Sequence, residues 1–283
     1  MPTDKFIYPK VGFWGYMLNL IANSELLAAI RRAILSRLPF MQMESDVSNI
    51  IYLNWVIESR VSVEQIPQGV SLIEKDGKTI LTALTYNHGH FGPSFLGRIR
   101  KLLPSPIQSN WRFYVSGFPN DNGATKVVFF IKNTFSSVIY SVITRVFSDA
   151  LPSHVAKLLQ HTKQGGAYTT RIESGKGSAP ELFSVVKETD RKVLPPDLER
   201  FFSSWGEAVS VLSLQDSAIC PVEGLSVVAH AGISLPIETS NIVPLEVMEY
   251  VPGEYLKSLG ATGQPFSYLV PNVKFRVLWE KLQ

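Results

Sequence analysis

Residues 71–86 read Ser-Leu-Ile-Glu-Lys-Asp-Gly-Lys-Thr-Ile-Leu-Thr-Ala-Leu-Thr-Tyr, two β-prone runs hinged on Asp76-Gly77. A two-residue type I′ turn needs φ > 0 at both central positions, and Asp-Gly supplies that with little strain. The stretch predicts a hairpin, and the hairpin predicts an antiparallel sheet. Working outward, residues 50–57 are rich in β-branched and aromatic side chains and read as a strand, as do 111–116 and 126–132. Between the last two, Gly-Phe-Pro-Asn-Asp-Asn-Gly at 117–123 is a loop by composition. Strand-like runs return at 153–161, 167–173, 207–214, 219–232 and 242–250, and 266–270 and 273–280 close the chain.

Helical spacing marks fewer segments. Residues 11–39 carry Trp14, Met17, Leu18 and Ile21, then Leu27, Ile30, Ile34 and Leu38, with Asn23 and Ser24 as N-cap residues that divide the run. Arg31, Arg32 and Arg37 take the polar side. Such a basic amphipathic helix can lie on a membrane. The simpler expectation is that its apolar stripe packs on the protein body or on a partner subunit, and no membrane partner is expected. In 134–149, Phe135, Val138, Ile139, Val142, Ile143, Val146 and Phe147 form one stripe. Short helices are predicted at 196–203 and 252–259, the latter ending at Gly260. Many short strands with few helices define a mainly β, α+β fold, an antiparallel barrel or sandwich. A single β domain over 46–283 with a helical extension over 1–45 is the simplest division.

The chain has 283 residues, 45% hydrophobic and 18% charged, a globular composition. A net charge of +3 from 27 basic and 24 acidic residues is too balanced for a nucleic-acid partner. The one dense basic cluster, Arg98, Arg100 and Lys101, reads as a solvated loop. Cys220 is the single cysteine, so an intrachain disulfide is impossible, and its apolar neighbours suggest an inert thiol. Without a signal-peptide layout or about 18 consecutive apolar residues, the expected location is the cytoplasm. With no Gly-rich phosphate loop or P-loop, no cofactor is expected.

Tyr52-Leu-Asn-Trp-Val, Ile66-Pro-Gln-Gly-Val, Asp76-Gly-Lys-Thr and Ser109-Asn-Trp-Arg-Phe-Tyr-Val follow one another in an order that resembles the uncharacterised YqjF-like family of the acetoacetate-decarboxylase-like superfamily. Val127-Val-Phe-Phe, Leu151-Pro-Ser-His-Val-Ala, Val243-Pro-Leu-Glu-Val and Phe266-Ser-Tyr-Leu-Val-Pro-Asn-Val extend the resemblance over about 50–281. The resemblance implies a curved antiparallel sheet closing into a barrel or cone around an internal pocket. It also implies a homo-oligomer. Acetoacetate decarboxylases carry a Gly-aromatic-Pro-Lys-Lys-x-Ala turn whose first lysine forms a Schiff base. The matching stretch here is Ala150-Leu-Pro-Ser-His-Val-Ala, with Ser153 and His154 where the lysines would be. A hydroxyl cannot form an imine, so acetoacetate decarboxylase activity is not expected. Lyase or isomerase chemistry of another kind remains open.

Several polar residues are candidates for a site. Arg112 lies in an aromatic strand, where a guanidinium facing a pocket could grip a carboxylate. Asn54 sits similarly within Tyr-Leu-Asn-Trp-Val. His154 is the candidate acid–base group, with Ser153 beside it on the opposite face of a strand. His88-Gly-His90 would present two imidazoles on one face of a continuous strand, as ligand contacts; no metal is assigned. Glu249 shares strand parity with Val243, Leu245 and Val247, which would turn it inward. The functional expectation is a pocket for a small organic acid or carbonyl compound. The alternative is a non-catalytic carrier of a lipophilic ligand, or an interaction subunit using the N-terminal helices.

Overall fold

The computed structural model describes residues 4–118 and 126–283; much of the loop expected at 117–123 lies outside the described residues. The strands are β1 Met43–Glu58, β2 Ser71–Leu72, β3 Glu74–Lys75, β4 Lys78–Pro93, β5 Ile107–Gly117, β6 Val127–Phe135, β7 Ser153–Val155, β8 Leu158–Gln164, β9 Ala167–Glu173, β10 Leu182–Glu188, β11 Ser217–Pro221, β12 Val228–Ser234, β13 Val243–Pro252 and β14 Phe266–Leu282. The helices are α1 Phe13–Ala22, α2 Glu25–Leu35, α3 Val138–Phe147, α4 Pro196–Glu199, α5 Trp205–Ser213 and α6 Glu254–Ser258. The Asp76-Gly77 turn forms as read, with φ of 53° and 71° joining β3 to β4.

All the strands belong to one mostly antiparallel, strongly curved sheet. Its path runs β1-β4-β5-β6-β11-β12-β14, and β14 pairs again with β1, so this run closes into a ring of hydrogen-bonded neighbours. From the first half of β14 an arm of β13, β10, β9 and β8 departs. The arm folds back over the β4 and β5 side of the ring. Leu159, Tyr168 and Ile172 of the arm pack there in one core with Leu81, Trp111 and Phe113.

The other face of the same strands is concave and is covered by α5. Tyr114 of β5 and Tyr268 of β14 are three strands apart along the ring. Yet Tyr114 Oη donates to the Leu212 carbonyl at 2.9 Å and Ser213 Oγ donates to Tyr268 Oη at 3.0 Å, both at the last turn of α5. Ala208, Val209 and Leu212 of α5 are buried against Tyr52, Leu84 and Tyr268.

The structure corrects several expectations. Residues 207–213, expected within a strand at 207–214, belong to the helix α5. Ser204 Oγ accepts from the Glu207 amide and Glu207 reaches back to the Ser203 amide, so a capping pair starts the helix. The helix at 134–149 is shorter, because Phe135 still belongs to β6. Residues 219–232 are two strands divided by a turn, and 153–161 is split between β7 and β8. Residues 266–280, expected as two strands, are one. Glu249 is exposed: a bulge between the Val185–Glu249 and Val186–Val247 pairs breaks the alternation that would turn it inward.

The N-terminal helices form as expected, split at Ser24, whose hydroxyl accepts from the Leu27 amide at 3.2 Å. Leu18 of α1 packs on the body with Phe6 and Val155, but α2 does not turn its apolar stripe to the body. Arg31 and Arg32 both turn toward the body and bond Asp149 through its two carboxylate oxygens, at 2.7–3.0 Å. Two bidentate guanidinium–carboxylate pairs fix the roll of the helix, and Leu26, Ile30 and Ile34 are left exposed.

Candidate functional site

Strand β5 alternates Gln108, Asn110, Arg112 and Tyr114 on the concave face with Ser109, Trp111 and Phe113 on the other. The polar row meets matching residues on its neighbours. Arg112 is opposite Thr82, which is opposite Asn54. Asn54 Nδ2 donates to the Phe266 carbonyl at 2.9 Å, and its Oδ1 accepts from Thr82 Oγ1 at 2.7 Å. Thr82 Oγ1 is also 2.8 Å from Tyr114 Oη.

Arg112 is 3% exposed and makes no ion pair among the described residues. Nη2 donates to the Leu212 carbonyl at 3.0 Å, while Nε has no partner. The guanidinium carbon lies 5.5 Å from the Tyr52 ring centre and 5.7 Å from that of Tyr114. Burial opposes its charge, but a guanidinium is basic enough to stay cationic here. Burial in turn pushes the phenols of Tyr86, Tyr114 and Tyr268 up, so they stay neutral donors around a positive centre.

Beside Arg112 runs a second buried network. His88 Nδ1 is 2.8 Å from Ser45 Oγ, and Nε2 is 2.7 Å from Gln108 Oε1. An amide oxygen only accepts, so Nε2 carries the hydrogen and Nδ1 accepts from the serine. Burial pulls the His88 pKa down to about 4, which keeps the ring neutral. Gln108 Nε2 and Asn110 Nδ2 both donate to Asn133 Oδ1. Asn110 Oδ1 is buried without a partner. Asn133 sits opposite Ser153 of β7, whose hydroxyl donates to the Leu151 carbonyl at 3.1 Å.

The concave face thus gathers Arg112, Asn54, Ser153 and His88 from four different strands. It does not gather His154 or His90. His90 has φ of 55°, so the strand alternation that would align it with His88 is interrupted. No three His, Cys, Asp or Glu side chains among the described residues are placed to share a metal ion. His154 points to the opposite side of β7. Its Nδ1 is 2.7 Å from Ser178 Oγ and its Nε2 is 3.0 Å from each oxygen of Asp4. Burial pulls its pKa down against the pull of Asp4. Lys132 also pairs with Asp4, and the Arg145 guanidinium donates to the Asp4 carbonyl. Burial opposes the Asp4 charge, yet His154 and Lys132 together hold its pKa well below the usual range. His154 is therefore tied into a clamp on the N-terminal segment.

A cavity of about 1120 Å³ adjoins both regions. β6 pairs with β11 over 127–129 and with β7 over 133–135, which leaves its edge at 130–132 without a strand partner. The cavity lies against this edge, lined by Phe130, Asn133, Lys132, Arg145, Asp4 and Cys220, with α1 and α2 above. Phe130 and Asn133 are the register partners of Arg112 and Asn110. The cavity wall is therefore one residue from the concave polar row, although Arg112 itself does not line it. Burial pushes the Cys220 thiol up, away from a reactive thiolate.

Sequence reasoning missed Gln108, Asn110, Asn133 and the tyrosines around Arg112. The signal was available in the period-two polar row Gln-x-Asn-x-Arg-x-Tyr inside an apolar strand. Asp4 gave no local signal, because its partners are more than 120 residues away in the chain.

The architecture is similar to that of acetoacetate-decarboxylase-like proteins, and twelve solved chains match this chain. One is the enduracididine biosynthesis enzyme MppR complexed with pyruvate, at TM-score 0.57 and 8% identity, over 86% of this chain and 90% of that one. Another is an acetoacetate decarboxylase-like enzyme from Sphingomonas wittichii RW1, at 0.56 and 7%, over 87% and 94%. The acetoacetate decarboxylase of Legionella pneumophila follows at 0.51 and 10%, over 85% and 86%. At these identities the likeness is one of fold alone. No family model and no curated protein matches the chain.

Proposed function

We propose that the concave face of the ring binds a small organic anion, a carboxylic acid or a keto acid, with Arg112 as its cationic grip. The carrying observation is a fully buried guanidinium with no carboxylate partner among the described residues and an orphaned Nε. An unpaired charge in such a place costs several kcal/mol, and an anionic ligand is the natural compensation. The neutral phenol of Tyr268, which accepts from Ser213 and keeps its own hydrogen, supplies a further donor, and the unpaired Asn110 Oδ1 supplies an acceptor for a hydroxyl or an acid proton. The pyruvate complex of MppR supports this ligand class by analogy of fold. The motif order along 50–281 supports a place in the YqjF-like branch. The anion would enter through the cavity at β6, past Phe130.

Imine chemistry has no support at this face. No lysine among the described residues is buried, and Ser153 occupies the turn where the resemblance would place one. Lys132, at the cavity, is held by Asp4. Calorimetric titration of the wild type with pyruvate, acetate and acetoacetate tests the reading, beside Arg112→Met. Saturable binding that disappears in the variant is expected. Binding that survives Arg112→Met at unchanged affinity, or no binding of any of the three by the wild type, refutes it.

A further inference from the structure

The inverted roll of α2 leaves an apolar face uncovered. α1 and α2 both pack on α3. Tyr140 of α3 donates to the carbonyls of Phe91 and Pro104, at 2.7 and 3.1 Å, on either side of the 3-10 turns at Ser94–Leu102. These four elements therefore adjoin, with α3 at the centre. They hold more than half of the exposed large apolar side chains among the described residues, including Phe13, Trp14, Ile34, Phe95, Leu102 and Phe147. Trp14 is 75% exposed and Leu102 is 85% exposed. Exposed apolar side chains gathered on adjoining elements point to an interaction site.

Charge identifies the occupant. Lys5, Lys10, Arg37, Arg98 and Lys101 are exposed on or beside these elements and form no ion pair among the described residues. Glu25 is the one acidic residue in 5–43, and 94–107 and 134–148 have none. Two copies meeting through this face in a two-fold dimer would set the cations of one against those of the other. An anionic surface meets no such penalty. Trp14 and Tyr16, apolar bodies with polar tips, suit the boundary between headgroups and acyl chains.

We propose that this face docks on a lipid bilayer carrying anionic headgroups. The apolar side chains of α1, α2 and the 94–102 turns enter the interface, and the free cations lie at the level of the phosphates. The proposal stands on the surface alone, whether or not Arg112 holds an anion.

Co-sedimentation of the full chain with vesicles of phosphatidylcholine, with and without phosphatidylserine, tests it. Partition onto the phosphatidylserine vesicles is expected, weakening as salt is raised. Each cation near such a surface is worth roughly five-fold in partition, so Arg37→Glu with Lys101→Glu lowers it by at least roughly twenty-five-fold. Trp14→Ser with Phe95→Ser lowers it with the charges intact. All four side chains are exposed, so folding is retained and is checked by circular dichroism. Three outcomes overturn the proposal. One is folded wild type that sediments with neither vesicle. Another is partition onto phosphatidylserine unchanged by charge reversal. The third is a dimer in sedimentation equilibrium, dissociated by Trp14→Ser, from a protein that ignores vesicles; a second copy would then be the occupant.

Discussion

Arg112→Met separates a structural arginine from a ligand-binding one, because a structural role predicts a large loss of stability and a ligand-binding role a near balance. Methionine has similar length and no charge. The substitution removes the desolvation burden of a buried, unpaired guanidinium, which is several kcal/mol. It forfeits the bond to the Leu212 carbonyl, about 1.5–3 kcal/mol for a charged donor. It also forfeits two ring contacts worth about 0.5–2 kcal/mol each. The Leu212 carbonyl is not orphaned, since Tyr114 Oη still donates to it at 2.9 Å. The orphaned Nε disappears with the guanidinium. These terms nearly cancel, so the ligand-free variant is expected within about 2 kcal/mol of wild type, a change of no more than about 4–8 °C in the unfolding midpoint at this chain length. Urea and thermal unfolding of dialysed wild type and variant measure it, and titration with pyruvate follows on the same samples. A ligand-free variant less stable than wild type by 2 kcal/mol or more, on the order of a broken buried pair, would show that Arg112 serves the fold. The anion-binding argument would then collapse.

Incubation with acetoacetate or pyruvate and sodium borohydride should leave the mass of the protein unchanged; a reduced adduct mapped to Lys132 would show that this chain forms an imine. His88 sets a pH dependence. Its folded pKa is depressed to about 4 against about 6.5 unfolded, so the unfolded chain binds the extra proton between these values. Its contribution is complete above pH 6.5 and is lost as pH falls toward 4, about 3 kcal/mol in all. His88→Gln should flatten that part of the urea-midpoint profile, and an unchanged profile would place the titration elsewhere. Ser204→Ala removes the cap of α5 and should lower stability by about 1 kcal/mol in urea unfolding; an effect under 0.3 kcal/mol would mean that packing alone sets the helix start.

The strand-rich architecture was legible because its signals are local. Asp76-Gly77 fixes a turn through two positive φ angles, and the alternation around it fixes the faces. The roll of α2 was not legible. Its apolar stripe is regular, and a helix seen alone should bury that stripe. The deciding contact is Asp149, about 117 positions away, whose two oxygens draw Arg31 and Arg32 inward. Glu249 was misplaced for a related reason: period two holds only where no extra residue enters the ladder, and Met248 enters it.

The reading of 207–214 as a strand had the largest consequence. Val209 and Val211 alternate as a strand would, and the capping pair that starts a helix at Ser204 sits just upstream of the window read. As a strand, the segment would have lain in the sheet and left the concave face open to solvent, where Arg112 would be an ordinary hydrated cation. As a helix it crosses that face and brings Leu212 O to both Arg112 and Tyr114. It also seals the row of polar side chains on β5 away from water. Desolvation by α5 converts a polar strand into a site with an unmet charge. The sequence signals for the residues and for their burial therefore lie a hundred positions apart, and neither predicts the site without the other.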